Sequence, residues 1–524
     1  MSPVTNERPR LGLFLAVAGL TLACSKPDST KPPRQPAAPG VETEQPAPAT
    51  AAAPPADSTS PSPPVDLPGG ASHFVKPLAE RWTGDLDGMI ERRRIRVLVT
   101  PTRTQYWVER GRQTGAEYEL VRAFEDRLNQ GYVRKKHLKI SVIFVPTSRG
   151  DLIPALRDGR GDIAVGILTL TPERLAQVDY GGPFFRGVRE VPVTGPQSPV
   201  ISTIDDLSGK EIIVRKSSSY WTHLEALSRR FVAEGRPAIQ LRAAPEDLTD
   251  DDIMEMVNAG LLGITVVDRY SARLWAQIFK DLKVHLDVAV NDEGEIGWLI
   301  RKNSPQLKAD IDSFARSHGQ GTTFGNSVRK KYTGSTRFVK NAASPQAAKR
   351  FRDMVDLFRK YGERYSLDYL LMIAQGYQES QLQQHRKSPV GAIGVMQIMP
   401  ATGQSLKVGD IHQLEPNIHA GVKYIRFMID QYFEREPMTE LNRTLFAFAA
   451  YNAGPSRIQR LRAEAARRGL DPNVWINNVE VVAAEKIGAE TVTYVSNIYK
   501  YYVAYTLTLQ QMEARRQAAE QLTR

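Results

Sequence analysis

The hydrophobic pattern of this chain changes character once, and that change dictates two differently built folding units. Between about Arg93 and Arg316, short apolar runs alternate with helical stripes. After Pro345 only helical stripes remain. Ile95–Val99, Leu138–Phe144, Asp162–Gly166, Glu211–Val214, Ile239–Leu241, Gly263–Asp268 and Trp298–Arg301 read as strands. Gly115–Leu128, Leu152–Leu156, Trp221–Phe231 and Gln306–Arg316 read as the helices between them. Such alternation predicts an α/β unit with a mainly parallel sheet. Ser317 to about Ser344 reads as a Gly/Ser/Thr-rich basic connector with few apolar residues, which places a boundary near 335. Beyond it, spacing predicts helices over Met399–Leu406, Ile418–Phe433, Arg443–Ala450, Arg457–Arg468, Val474–Val482 and Val492–Arg516, with no strand signal. A length of 524 residues also exceeds what one core serves.

The first 74 residues belong to neither unit. Arg8 and Arg10 precede the apolar run Leu11–Leu20, and Ala23 precedes the lone cysteine, Cys24. A basic region, a short apolar segment and a small residue form a secretory leader, too short to span a bilayer as a mature helix. One cysteine allows no internal disulfide. The leader resembles a bacterial lipoprotein signal, with Thr21 standing where Leu is usual. That resemblance implies cleavage before Cys24 and acylation of Cys24. With Ser25 rather than Asp next, it implies an outer-membrane destination on the periplasmic face. Residues 25 to about 74 are dominated by Pro, Ala, Ser and Thr and offer almost nothing to bury, which predicts a disordered tether.

The formal net charge of +11 favours anionic partners such as nucleic acid, an anionic membrane or an acidic cell-wall polymer. No zinc-finger, RNP-type or basic-zipper pattern supports nucleic acid. No metal-ligand cluster or phosphate loop appears, so neither metal nor cofactor is expected.

The chemistry concentrates at Glu379, at the end of the apolar helical run Leu370, Ile373, Ala374 and Tyr377, where Ser366 is the candidate N-cap. No Asp or Glu follows Glu379 until Asp410. Apolar surroundings and a helix C-terminus both disfavour an ionised carboxylate, so the pattern predicts a carboxyl with a raised pKa. A hydrolytic glycosidase normally needs two carboxylates about 5–9.5 Å apart. Here the second would have to come from far along the chain, and Glu490 is the obvious candidate.

Two sets of motifs carry family resemblances. Gly115–Leu120, Gly161–Gly166, Leu170–Arg174 with Val178–Tyr180, and Val267–Asp268 resemble family 3 solute-binding proteins over roughly 93–333. The resemblance implies two lobes closing over a small amino-acid-like ligand. Arg174 would pair with its carboxylate and Asp268 with its ammonium; the alternatives are a surface salt bridge and a helix N-cap. Gln105, Tyr106 and Trp107 are further candidates for the cleft. Glu379-Ser380, Ser388–Thr402, Ala449–Pro455 and Glu490–Tyr494 resemble, in that order, the lytic transglycosylases with a goose-lysozyme-like fold.

The architecture implied is a two-lobed α/β periplasmic-binding-protein-like domain followed by an all-α lysozyme-like domain. The expected division is leader 1–23, tether 24–74, binding module 75–335 with its second lobe at about 197–286, and catalytic domain 336–524. In that family Glu379 would be acid and then base, and peptidoglycan glycan strands the substrate. Ser388 would orient the substrate acetamido group or Glu379. Gln397 and Met399 would line sugar subsites, Tyr451 and Asn452 would border the cleft, and Glu490 would position Tyr494 toward the intermediate. Met396 reads as core filling. A muropeptide or amino acid is the expected effector. A water-using muramidase and a murein-binding sensor without turnover remain the alternatives.

Overall fold

The computed structural model describes residues 80–133, 138–336 and 345–523. The expected leader, Cys24 and the tether lie outside the described residues.

The first unit is built on a seven-stranded sheet. β1 (Arg94–Val99) is followed in the chain by a small hairpin of β2 (Trp107–Glu109) and β3 (Arg112–Thr114). β4 (Ser141–Pro146) and β5 (Ile163–Val165) flank β1 in parallel. β6 (Asp179–Thr194) is a 16-residue strand. β7 (Glu211–Arg215) and β8 (Gln240–Ala244) form a separate parallel pair. β9 (Ile264–Asp268), β10 (Lys283–Val284) and β11 (Asn291–Ile300) all pair antiparallel to β6.

The sheet is therefore mixed rather than mainly parallel, because every pairing of β6 is antiparallel. The sequence pattern missed β6 because Gly181, Gly182, Pro183 and Gly187 break its alternation and three register shifts interrupt its ladder with β11. β6 also makes the unit bilobal. Its first half enters a core with Val97, Phe124, Trp298 and Phe314. Its last residues, Val191 and Val193, enter another with Ile213, Leu224, Phe231, Met254 and Trp275.

The expected connector is partly structured. Thr322 caps a helix, Thr323–Thr333, whose Val328 and Tyr332 are buried against Ala116. Seven polar residues and a glycine against three apolar ones hid that short face from the sequence reading.

The second unit is helical around one core. Helices Tyr369–Ser380, Leu414–Tyr432 and Glu440–Ala453 lie inside it, and Ala489–Thr523 runs along its side. The predicted Val474–Val482 helix is broken: Ile476 and Asn477 leave helical geometry, and a regular helix starts at Glu480.

The 35 residues of Ala489–Thr523 make a rod of about 52 Å. Its Val495, Ile498 and Tyr502 enter the helical core. Lys500 Nζ reaches Glu125 Oε1 at 3.1 Å, and Tyr505 donates to the Gly111 carbonyl at 2.6 Å. Ala518 enters the core of the second lobe. Gly111, at the tip of the β2–β3 hairpin, has φ +80°, and a Cβ there would lie 2.8 Å from the Tyr377 ring and 2.9 Å from the Tyr505 hydroxyl. Gly111→Ala combines backbone strain with overpacking and is expected to destabilise the protein by about 1–3 kcal/mol in denaturant titration.

Candidate active site

The helix Tyr369–Ser380 starts at Asp368, not at Ser366. Asp368 Oδ1 accepts from Leu370 N at 2.8 Å, while Ser366 has φ +52° and precedes the cap. Asp368 Oδ2 also accepts from Tyr502 at 2.8 Å, so the cap is shared with the long C-terminal helix. The helix is buried all round from Tyr369 to Gly376, beyond the single stripe read from sequence. It stops where Gln381 and Leu382 turn left-handed, at φ +57° and +60°.

Glu379 falls in this last turn and is half-buried. Its Oε1 accepts a hydrogen bond from the Tyr494 hydroxyl at 2.6 Å. Burial penalises the charged carboxylate and pushes Glu379 up to about 7; the bond from Tyr494 offsets only part of this. Among the described residues no cation and no second carboxylate perturbs it.

The segment after Glu379 is tied down by its own backbone and by several side chains, Ser380, Asn417 and Tyr451 among them. Ser380 Oγ donates to Val395 O at 2.9 Å. Asn417 Oδ1 accepts from Met396 N at 2.8 Å, and its Nδ2 donates to Ile393 O and Ile411 O at 2.8 and 3.0 Å. Gly394 leaves room for that amide, since a Cβ there would sit 2.4 Å from Asn417 Nδ2. Tyr451 donates to Met396 O at 2.6 Å.

The expected site residues separate into groups. Glu379 and Tyr494 are bonded to each other, and Tyr451 lies near enough to Tyr494 to contribute to its raised pKa. Ser388 closes a turn, its Oγ accepting from Ala392 N at 2.9 Å. Gln397 spends its amide on Gly394 O and Arg386 O, at 2.8 and 3.2 Å. Met399 is half-buried just before the helix Pro400–Leu406. Asn452 accepts from Thr491 at 2.7 Å. Met396 is fully buried, as core filling requires.

Glu490 is exposed. The Tyr494 hydroxyl is held instead by Glu379 and by Gln375, whose Nε2 lies 3.3 Å away. Sequence reasoning missed Gln375 and Asn417. The signal for Gln375 was a polar residue inside an apolar helix, four positions before Glu379; Asn417 left no local signal.

In the first unit, Arg174 is buried and gives its guanidinium to two carbonyls, Thr169 O at 2.5 Å and Ser217 O at 2.6 Å. It makes no surface salt bridge, and burial pushes it down to about 10. Asp268 occupies the N-cap position of Arg269–Trp275 without capping it. Its Oδ2 accepts from Tyr270 at 2.9 Å, and its buried Oδ1 has no hydrogen-bond partner among the described residues. Burial, with Glu190 and Asp250 nearby, pushes Asp268 up to about 8. A cavity of about 590 Å³ opens beside Tyr270, lined also by Gln105, Glu117, Arg189, Arg269 and Arg273. Tyr106 does not line it; it is buried, stacks on Phe144 and donates to Gln113.

Comparison with known proteins follows this division. Residues 95–334 match the family model "Bacterial extracellular solute-binding proteins, family 3", and residues 356–473 match "Transglycosylase SLT domain". The chain thus carries a family 3 solute-binding domain followed by a transglycosylase SLT domain. It is similar to the membrane-bound lytic murein transglycosylase F of Desulfosudis oleivorans, at 27% identity over 78% of this chain and 89% of that one. The protein of the same name from Pseudomonas fluorescens strain Pf-5 is 26% identical over 81% of this chain and 87% of that one. An ancestral arginine-binding protein bound to arginine is 20% identical, with a TM-score of 0.38, over 46% of this chain and 97% of that one.

A Glu pKa raised by folding lowers stability as pH rises from the unfolded value toward the folded one. Glu379→Gln is therefore expected to melt with the wild type at pH 4 and to be more stable at pH 8, by on the order of 1–3 kcal/mol, in thermal or denaturant unfolding.

Proposed function

We propose that this protein is a lytic murein transglycosylase that cleaves the MurNAc–GlcNAc β-1,4 bond of peptidoglycan without water and leaves 1,6-anhydroMurNAc ends. The observation that carries this reading is the single half-buried carboxyl of Glu379, pushed up to about 7, with the Tyr494 hydroxyl as partner and, among the described residues, no second carboxylate acting on it. The SLT match and the similarity to the murein transglycosylases support it.

Near neutral pH a large share of Glu379 is protonated and gives its proton to the glycosidic oxygen as the bond breaks. The substrate's own acetamido group stabilises the anomeric carbon. The carboxylate left behind then takes the proton of the sugar's 6-hydroxyl, whose oxygen closes the anhydro ring. Glu379 ends protonated, as it began. Tyr494 holds the carboxylate between the two steps. Ser388 orients the acetamido group, Gln397 and Met399 flank sugar subsites, and Tyr451 and Asn452 border the cleft; Glu490 stands at the exposed start of the Tyr494 helix.

The solute-binding domain takes a small effector, a muropeptide or amino acid, and regulates the catalytic domain. Asp268 meets its ammonium, and Arg174, whose guanidinium is held by Thr169 O and Ser217 O, would have to leave one of these carbonyls to meet its carboxylate. Among the described residues no helix is long and apolar enough to cross a membrane. We place the protein at the periplasmic face of the outer membrane through a lipid on Cys24, in keeping with the relatives' membrane-bound names.

Glu379→Gln is expected to lower turnover of purified sacculi by about 10²–10⁴-fold while the fold survives. Wild-type activity should fall as pH rises above about 7, because the acid form of Glu379 is lost. Mass spectrometry should find anhydro ends. Reducing ends would instead assign a hydrolytic muramidase, and binding without cleavage a murein sensor.

The module has its own signature. With Asp268 at about 8, an ammonium ligand must ionise it on binding at pH 7. Calorimetry in buffers of different ionisation enthalpy should register close to one proton released per amino acid bound, and Asp268→Asn should abolish the release.

A further inference from the structure

Gln375 and Glu379 are four residues apart on one helix and so share a face. Tyr494 comes from another helix and its hydroxyl sits between them, 3.3 Å from Gln375 Nε2 and 2.6 Å from Glu379 Oε1. Gln375 is fully buried. Its Oε1 is also buried and, among the described residues, accepts no hydrogen bond. Leaving such an acceptor unpaired is costly, and an apolar residue of the same shape would pack there without that cost. Packing therefore does not explain why an amide occupies the position.

We infer that Gln375 is a positioning residue for the acid/base: its amide N–H donates to the Tyr494 oxygen and thereby commits the single Tyr494 proton to Glu379. This rests on the assignment of Glu379 as acid and base. A tyrosine hydroxyl has one proton and an oxygen that can also accept. With the oxygen occupied by an amide N–H, the O–H is aimed at Glu379 and is polarised into a better donor. Such a donor favours the carboxylate over the acid. It draws Glu379 back from the value burial alone would set, toward one at which the same group can give a proton and then take one.

The titratable neighbours are few. Tyr494 faces Glu379 from the helix Ala489–Thr523, and Tyr451 faces Tyr494 from the helix Glu440–Ala453. Among the described residues no charged side chain acts on Glu379. The Gln375–Tyr494 pair is thus the available adjustment to its proton affinity.

The test uses the full-length protein on soluble glycan strands, comparing Gln375→Met, Tyr494→Phe and the double variant. Gln375→Met is expected to lower kcat about three- to tenfold with KM unchanged. It should also move the alkaline limb of the pH profile to higher pH, since Glu379 loses part of its stabilising donor. Melting temperature should stay level or rise. Because Gln375 acts through the tyrosine hydroxyl, the double variant should match Tyr494→Phe alone. Unchanged kcat and pH profile in Gln375→Met, or losses that multiply in the double variant, overturn the proposal. Should Gln375→Met fail to fold, Gln375→Leu carries the same comparison. An active Glu379→Gln protein would instead overturn the assignment of the acid, so the two failures are distinguishable.

Discussion

The helix Ala489–Thr523 is the element on which the arrangement depends. Near its start it presents Tyr494 to Glu379; a turn and a half further on it sets Lys500 against Glu125; then Tyr505 holds the hairpin at Gly111. Near its end Ala518 joins the core of the second lobe. The hydroxyl that donates to Glu379 and the residues docked on the first unit therefore sit on one continuous helix. The hairpin tip also lies against Tyr377, two residues before Glu379. The two domains therefore share physical parts, and a ligand that changed the lobes would act on a helix already bonded to the acid.

The electrostatics of the two sites differ in kind although burial raises a carboxyl in each. Asp268 lies near Glu190 and Asp250, so like charges add to desolvation. It is a site that a cation would relieve. Among the described residues no charged group shifts Glu379. In a chain of net charge +11, the absence of any lysine or arginine among the causes that shift this carboxyl is what leaves burial to raise it to about 7. A single Arg beside it would favour the carboxylate.

Much was legible in the sequence because it is written in local pattern. The strands around Val97 and Val165 and most helices of the second unit follow from apolar spacing, the broken segment at Ile476 and Asn477 being the exception. Glu379 was singled out by its place at the end of an apolar run and by the acid-free interval after it. The strand Asp179–Thr194 was not legible, since its glycines and proline break the alternation and its pairing partners come from distant segments. The cap at Asp368 rather than Ser366 depends on a backbone conformation that neither residue type dictates. Gln375 appeared as an odd polar residue in a helix, but its meaning requires Tyr494, more than a hundred residues away in sequence.

The sequence by itself determined which side chains exist and in what local geometry: a carboxyl at a helix end, an amide one turn before it, a tyrosine in a late helix, and two units of different hydrophobic period. Only the tertiary structure decided that Tyr494 rather than Glu490 meets Glu379, that Arg174 holds two carbonyls across the lobes, and that one helix serves both domains. The physical reason is that periodicity and capping are set within a few residues. Proton affinity and partner choice are set by what water is excluded from, and that depends on the packing of segments the sequence keeps far apart.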